Sequence, residues 1–225
     1  MKVYGFAMSP FVQRVLLTCR TKGIDYELVQ PEGGLTTPEF LALSPNSRIP
    51  VIEEDDGWTM VESMAIVEYL DATRPGPSLL PASARDAARA RAIVALADSE
   101  IGPGVRQYTR QPLLRRYDRP DLLAYTSEMM DFGLDAIERI GVTGGRWALG
   151  DRISIADIAL MPLMALGVMV AEFSDTGDII SGRPGIDAWW ARAQADPLGA
   201  QMLDELRAGF EHMMRVGYAT LAGHA

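Results

Sequence analysis

Cysteine and histidine are almost absent from this chain. Cys19 is the single cysteine, and His212 and His224, both near the end, are the only histidines. One cysteine excludes an intrachain disulfide and a C-x-x-C redox pair. Two histidines so placed give little support to a histidine-based zinc site or a serine–histidine triad, and no metal is expected. Long apolar runs are also missing: the longest, 158–171, is shorter than the ~20 residues of a membrane span and contains Pro162, so no membrane is expected. Lys2 is followed by a strand-like run too short and too polar for the h-region of a signal peptide, which predicts a cytoplasmic protein. Positive charge is scarce as well. With 21 Lys and Arg against 30 Asp and Glu, the net charge is −9, which argues against nucleic acid or an acidic membrane surface as a partner. There is no internal repeat and no low-complexity tract.

What is present is a soluble globular composition, 48% hydrophobic and 23% charged, in a chain long enough to bury a sizeable core. The most informative stretch is Met8-Ser9-Pro10-Phe11-Val12-Gln13-Arg14-Val15, directly after the apolar run Val3-Tyr4-Gly5-Phe6. It reads as a strand, a tight turn and a helix that starts at a serine. Ser9 is a good N-cap, and Pro10 suits the first helical position, where a missing N–H costs nothing. Such a start puts a hydroxyl and unpaired backbone N–H groups at the positive end of a helix dipole, a place to hold an anion such as a thiolate. Ser9 as a cap and nothing more is the competing reading. Cys19 lies with Val12, Val15 and Leu16 on one helical stripe and reads as core.

Two further motifs follow. Arg48-Ile49-Pro50-Val51-Ile52-Glu53 reads as a turn leading into a strand, and the segment from Trp58 to Leu70 as a strand running into a helix at Glu62-Ser63. In order, S-P-F-x-x-R-V, R-I-P-V-I and E-S-x-A-I-x-E-Y-L resemble the amino-terminal half of the cytosolic glutathione S-transferases. The S-P-F-V-x-R-V form and the K-G-I-D-Y-E after it look most like the serine-type classes, tau in particular. A thioredoxin, a glutaredoxin or a cysteine-type transferase would carry Cys where this chain has Ser9, so thiol–disulfide exchange is not expected there.

The chain divides into two parts. Up to about residue 74, strand and helix signals alternate: strand 3–6, helix 10–22, strand 26–30, helix 38–43, strands 51–54 and 58–61, helix 63–73. Asp55-Asp56-Gly57 between the last two strands is a hairpin signal. This is a compact α/β domain, which the resemblance makes thioredoxin-like. Arg74-Pro75-Gly76-Pro77-Ser78-Leu79-Leu80-Pro81 is a linker. Helical patterns follow at 84–101, 120–140, 155–170, 185–195 and 199–217. The expected organisation is therefore a glutathione-binding α/β domain over 1–74, a linker over 75–83 and an all-α domain over 84–225. In that second part Ser154 and Asp157 form a capping-box arrangement with Ile153 and Ile158 as the staple, a mark similar to the family's S-x-A-D-I at its central helix. Asp157 is therefore expected to be structural, and Pro162 to bend the helix.

The resemblance also implies roles. Glutathione's thiol, with a reference pKa near ~8.5, is only slightly ionised at neutral pH. A hydroxyl donating to the charged sulfur, worth ~1.5–3 kcal/mol, would lower that pKa by roughly one to two units. Ser9 is the matched position and the expected catalytic residue. Ile49-Pro50 matches the family's residue–cis-proline pair, whose backbone holds the cysteinyl part of glutathione. Ser63, at a helix N-terminus, matches the receiver of the γ-glutamyl carboxylate, and Glu62 the partner of the α-amino group. The loop Gly33-Gly34-Leu35-Thr36-Thr37-Pro38 lacks the lysine that tau members use for the glycyl carboxylate, and Arg48 stands in for it. Phe11 flanks the glutathione site, and Asp98 is placed by analogy against a neighbouring subunit's glutathione. The second substrate is expected between the domains, against Met8, Phe11 and Tyr108, on an adaptable apolar wall. Together these give a homodimeric glutathione S-transferase acting on an apolar electrophile. Glutathione-dependent isomerisation, ether cleavage or dehalogenation, and a non-catalytic binding or regulatory protein, stand as the alternatives.

Overall fold

The computed structural model describes residues 1–110, 118–142, 144–174 and 178–216, without the side chains of Phe173, Ser174 and Val216. By contacts the chain forms two compact units, Met1–Pro77 together with Gln201 onward, and Ser78–Ala200.

The first unit is built on β1 (Lys2–Tyr4), α1 (Pro10–Lys22), β2 (Glu27–Val29), α2 (Pro38–Leu43), β3 (Val51–Glu53), β4 (Thr59–Val61) and α3 (Ser63–Thr73). The strands form one sheet in the order β2-β1-β3-β4. β1 and β2 are parallel, as their helical crossover through α1 requires. β3 is antiparallel to both β1 and β4, with Ile52 opposite Val3 and Met60. The β3–β4 hairpin closes at Gly57, whose φ of 87° suits a residue without Cβ. Its core joins Val12, Val15, Leu16 and Cys19 of α1 to Val3, Ile52, Ile66 and Leu70, so the stripe read along α1 faces sheet and α3. β1, β2 and β3 end one or two residues before the expected strands and β4 begins one residue late, whereas α1, α2 and α3 span the expected residues, the first two marked by a cap and a proline at their starts.

The second unit is helical: α4 (Ala84–Leu96), α5 (Gly102–Tyr108), α6 (Pro120–Ile140), α7 (Ile155–Ser174) and α8 (Pro184–Ala195). An α/β domain followed by an all-helical one is the architecture expected from the sequence. The helix expected over 84–101 is interrupted. The helix pattern at 84–101 is not uniform: after Leu96 a π-helical turn, Ala97–Ile101, intervenes before α5, and the Gly102 N–H bonds back to the Ala97 carbonyl. Pro103, with no N–H to give the ladder, follows at once, which accounts for the widened turn. Gly133 of α6 lets that turn come close, since a Cβ there would sit 2.6 Å from the Glu100 Cβ.

α7 is buried almost all round. Over Ile155–Glu172 it is long and apolar enough to cross a membrane, with a mean hydropathy of 1.8, longer than the run counted from the sequence; 89% of that window is nevertheless buried among the other helices, as in a core helix. Asp157 in its first turn is fully buried and accepts four hydrogen bonds. Ala148 N–H and the Trp189 indole N–H reach Oδ1 at 2.7 and 2.9 Å, while Ser154 gives its N–H and its hydroxyl to Oδ2, both at 2.9 Å. Burial pushes this carboxyl's pKa up, and the four donors pull against that shift.

α9 (Pro197–Val216) starts in the second unit and from Gln201 belongs to the first. The sequence places this stretch with the all-α domain over 84–225, and the contacts divide the chain differently. Glu205 supplies the reason: its carboxylate takes Arg20 at 2.7 and 2.8 Å and Gln13 at 3.0 Å, both on α1.

Candidate functional site

The turn between β1 and α1 is held from three sides. Ser9 is the N-cap of α1, with φ −80° and ψ 123°, and its Oγ accepts the Val12 N–H at 3.4 Å. That contact uses a lone pair and leaves the hydroxyl proton to donate elsewhere, so capping and chemistry are compatible in one side chain. Gln13, fully buried, donates to the Ala7 carbonyl at 2.8 Å and to Glu205, clamping the turn to α9. Gly209 of α9 lies against Met8: a Cβ on it would come to 2.7 Å from the Met8 Cβ and 3.0 Å from its backbone nitrogen. Gly209→Ala is therefore expected to push the Met8-Ser9 turn aside or to cost about 1–3 kcal/mol. Thermal melts and turnover of the variant check this, and a variant matching the parent in both contradicts it.

Two more segments of the same unit carry candidate residues. Ser44, buried, accepts the Arg48 N–H at 3.0 Å and donates to the Arg48 carbonyl at 2.7 Å, fixing the loop that enters the cis Ile49–Pro50 bond. Pro50 is buried, Ile49 half-buried and Arg48 exposed. At the start of α3, Glu62 holds φ 68°, ψ 109°, a conformation that costs a non-glycine residue on the order of 1–3 kcal/mol. Asn46 donates to its carboxylate at 3.0 Å, tying this turn to the Ile49–Pro50 loop. Ser63, one residue on, is buried, and its Oγ accepts from the Arg14 guanidinium at 3.2 Å. Arg14 is itself buried at 1% exposure, with the Phe11 ring centroid 5.1 Å from its guanidinium carbon.

Arg14 links Phe11 of α1 to Ser63 of α3, Asn46 links Glu62 to the loop before Ile49-Pro50, and Ser9 belongs to the same unit. Asp98, on the π-helical turn and exposed, and Tyr108, whose hydroxyl is 2.5 Å from Ser127 Oγ, belong to the second unit, and Met8 and Phe11 belong to the first. Sequence reading did not single out Gln13, Arg14, Asn46, Glu205 or Gly209. For the first two a signal exists: around them, Val12 to Cys19 are apolar on nearly every side, so polar residues inside that run must be buried with partners.

Cys19 is no second nucleophile. Burial pushes its thiol up to about 12, so almost none is thiolate at neutral pH. We expect it to resist iodoacetamide at pH 8 until the protein is denatured; rapid alkylation of the native protein would contradict this. Among the described residues no cluster of three or more His, Cys, Asp or Glu could hold a metal ion.

Comparison with known proteins gives the family. Residues 3–78 match the family model described as glutathione S-transferase, N-terminal domain. The chain is 33% identical to maleylacetoacetate isomerase of Mus musculus over 169 residues, covering 72% of this chain and 76% of that one. The chain belongs to the glutathione S-transferase superfamily. The maleylacetoacetate isomerase of Pseudomonas aeruginosa is 34% identical over 170 residues, covering 72% of this chain and 79% of its own. A solved structure of maleylacetoacetate isomerase from Methylobacterium extorquens AM1, with bound malonate and glutathione, superposes with a TM-score of 0.75 at 26% identity, covering 92% and 97% of the two chains. Membership of this glutathione transferase superfamily is what the matches establish, in place of the tau-like type read from S-P-F-V-x-R-V. That motif encodes a cap, a first-turn proline and a buried arginine, none of which is tied to one second substrate.

Proposed function

We propose that this protein is a glutathione-dependent enzyme that activates the thiol through Ser9 and isomerises a maleyl-type cis double bond. The observation carrying the first half is the Ser9 hydroxyl at the start of α1, in the same unit as the Arg14-backed Ser63 at the start of α3. Ser9 donates to the thiolate, helped by the N-terminal end of the α1 dipole. Ile49 offers its backbone to the cysteinyl part, Ser63 receives the γ-glutamyl carboxylate, Glu62 the α-amino group, and Arg48 the glycyl carboxylate. Met8 and Phe11 line the second-substrate side, and Asp98 reaches a partner's glutathione. Support for isomerisation comes from relatives named maleylacetoacetate isomerase and maleylpyruvate isomerase.

The chemistry balances without oxidant or reductant. The thiolate adds to one alkene carbon, forming a C–S bond while the π electrons move onto the conjugated carbonyl as an enolate. The former double bond rotates, the C–S bond breaks, and the trans alkene and the thiolate are both restored. A homodimer fits the exposed Tyr125 and Phe132, two turns apart on one face of α6, which a second copy would cover.

The deciding experiment supplies a maleyl substrate with glutathione at a tenth of its concentration. The proposal predicts many turnovers and undiminished glutathione. Turnover stopping when glutathione is exhausted, or activity only towards electrophiles such as 1-chloro-2,4-dinitrobenzene, would favour conjugation, to which the relatives named glutathione S-transferase also point.

A further inference from the structure

We infer that Arg14 is a positioning residue for recognition of the γ-glutamyl carboxylate, acting through Ser63; this rests on the glutathione site proposed above. Arg14 is almost wholly buried, and removing a guanidinium from water is costly unless its surroundings compensate. Its NH1 donates to Ser63 Oγ at 3.2 Å, and the Phe11 ring lies 5.1 Å from its guanidinium carbon, a cation–π distance. Ser63 and Phe11 are both residues placed at the glutathione site, one on α3 and one on α1.

The bond to Ser63 has a direction. A guanidinium has only donors, so Ser63 Oγ must accept from it. The hydroxyl's own proton is thereby turned away from Arg14 and left for an acceptor. A carboxylate at the start of α3 is such an acceptor, and it would meet the Ser63 hydroxyl, the backbone N–H groups of the helix start, and a fixed positive charge one hydroxyl further in. Charge acting through a polarised hydroxyl in a region of low dielectric strengthens that contact without touching the ligand. Arg14 therefore contributes to recognition of one end of glutathione and leaves the thiol end to Ser9.

The test measures the Kd of glutathione and of its analogue lacking the γ-glutamyl α-carboxylate (4-aminobutyryl-cysteinylglycine) for the parent, Arg14→Lys, Arg14→Met, Ser63→Ala and the Arg14→Lys/Ser63→Ala double variant. Lysine keeps the charge but lacks the planar fork, so Arg14→Lys is expected to disturb the fold less than Arg14→Met. Arg14→Lys is expected to weaken glutathione binding about 3- to 10-fold, and Arg14→Met more. Both are expected to change the analogue's Kd by less than about twofold. In the Ser63→Ala background the Arg14→Lys effect on glutathione is expected to fall below about twofold, because the two residues act in series. The inference is overturned if Arg14→Lys binds glutathione as tightly as the parent, if both ligands weaken equally, or if the two substitutions add in full. If Ser63→Ala alone leaves the Kd of glutathione unchanged, the γ-glutamyl assignment itself fails, an outcome distinct from these.

Discussion

Ser9→Ala is expected to slow the glutathione-dependent reaction by roughly 10- to 100-fold while leaving the fold in place. A hydroxyl hydrogen bond to a charged sulfur is worth ~1.5–3 kcal/mol, and each ~1.4 kcal/mol is a decade in rate or in the thiol's ionisation constant. The same substitution removes the N-cap of α1, so ~1 kcal/mol of stability is expected to go with it. The two effects separate in Ser9→Asn, which can still cap the helix but lacks the hydroxyl proton: stability returns and turnover does not. The pH profile sharpens the distinction. In the parent, activity rises through a thiol pKa lowered below its free value; in Ser9→Ala that rise moves up by one to two units, so high pH recovers part of the loss. A Ser9→Ala enzyme with parental turnover and pH profile contradicts the catalytic assignment.

The second large effect concerns stability. Asp157→Ala leaves four buried donors without their acceptor: Ala148 N–H, the Trp189 indole N–H, and the N–H and hydroxyl of Ser154. Each donor left unsatisfied costs about 1–3 kcal/mol before water or rearrangement offsets part of it. A net loss on the order of 4 kcal/mol is expected, a fall in Tm of roughly 10 °C for a chain of this size. Asp157→Asn is expected to be milder. Its oxygen can serve Ala148 and Trp189, and the Ser154 hydroxyl can turn to accept from the new amide, which strands the Ser154 N–H alone. Calorimetry on both variants checks the order; an alanine variant as stable as the parent contradicts the buried network.

The helices were legible where local chemistry marks their ends. Ser9-Pro10, Thr37-Pro38 and Arg119-Pro120 place a proline at the first helical position, and α1, α2 and α6 begin there as expected. The capping pattern Ser154-x-x-Asp157 likewise marked α7, although Asp157 binds two partners distant in sequence that no pattern announces. The π-helical turn escaped notice because apolar spacing at 97–101 does not distinguish one helical hydrogen-bond ladder from another; Pro103 was the available clue. The candidate site was read from residues that match family motifs: Ser9, Ile49, Glu62 and Ser63. The groups that hold them in place, Arg14, Gln13, Asn46 and Glu205, act through contacts between segments up to 192 residues apart. Gly209 illustrates the same limit: its need for no side chain arises only where α9 meets the Met8 turn.

The central claim is that this chain binds glutathione and ionises its thiol. The most direct test is a pH titration of thiolate absorbance with glutathione bound to excess protein. The account predicts a thiol pKa at least one unit below that of free glutathione in the parent, and a return towards the free value in Ser9→Ala. An unshifted titration at saturating protein would contradict it, and the non-catalytic reading of this fold would take its place.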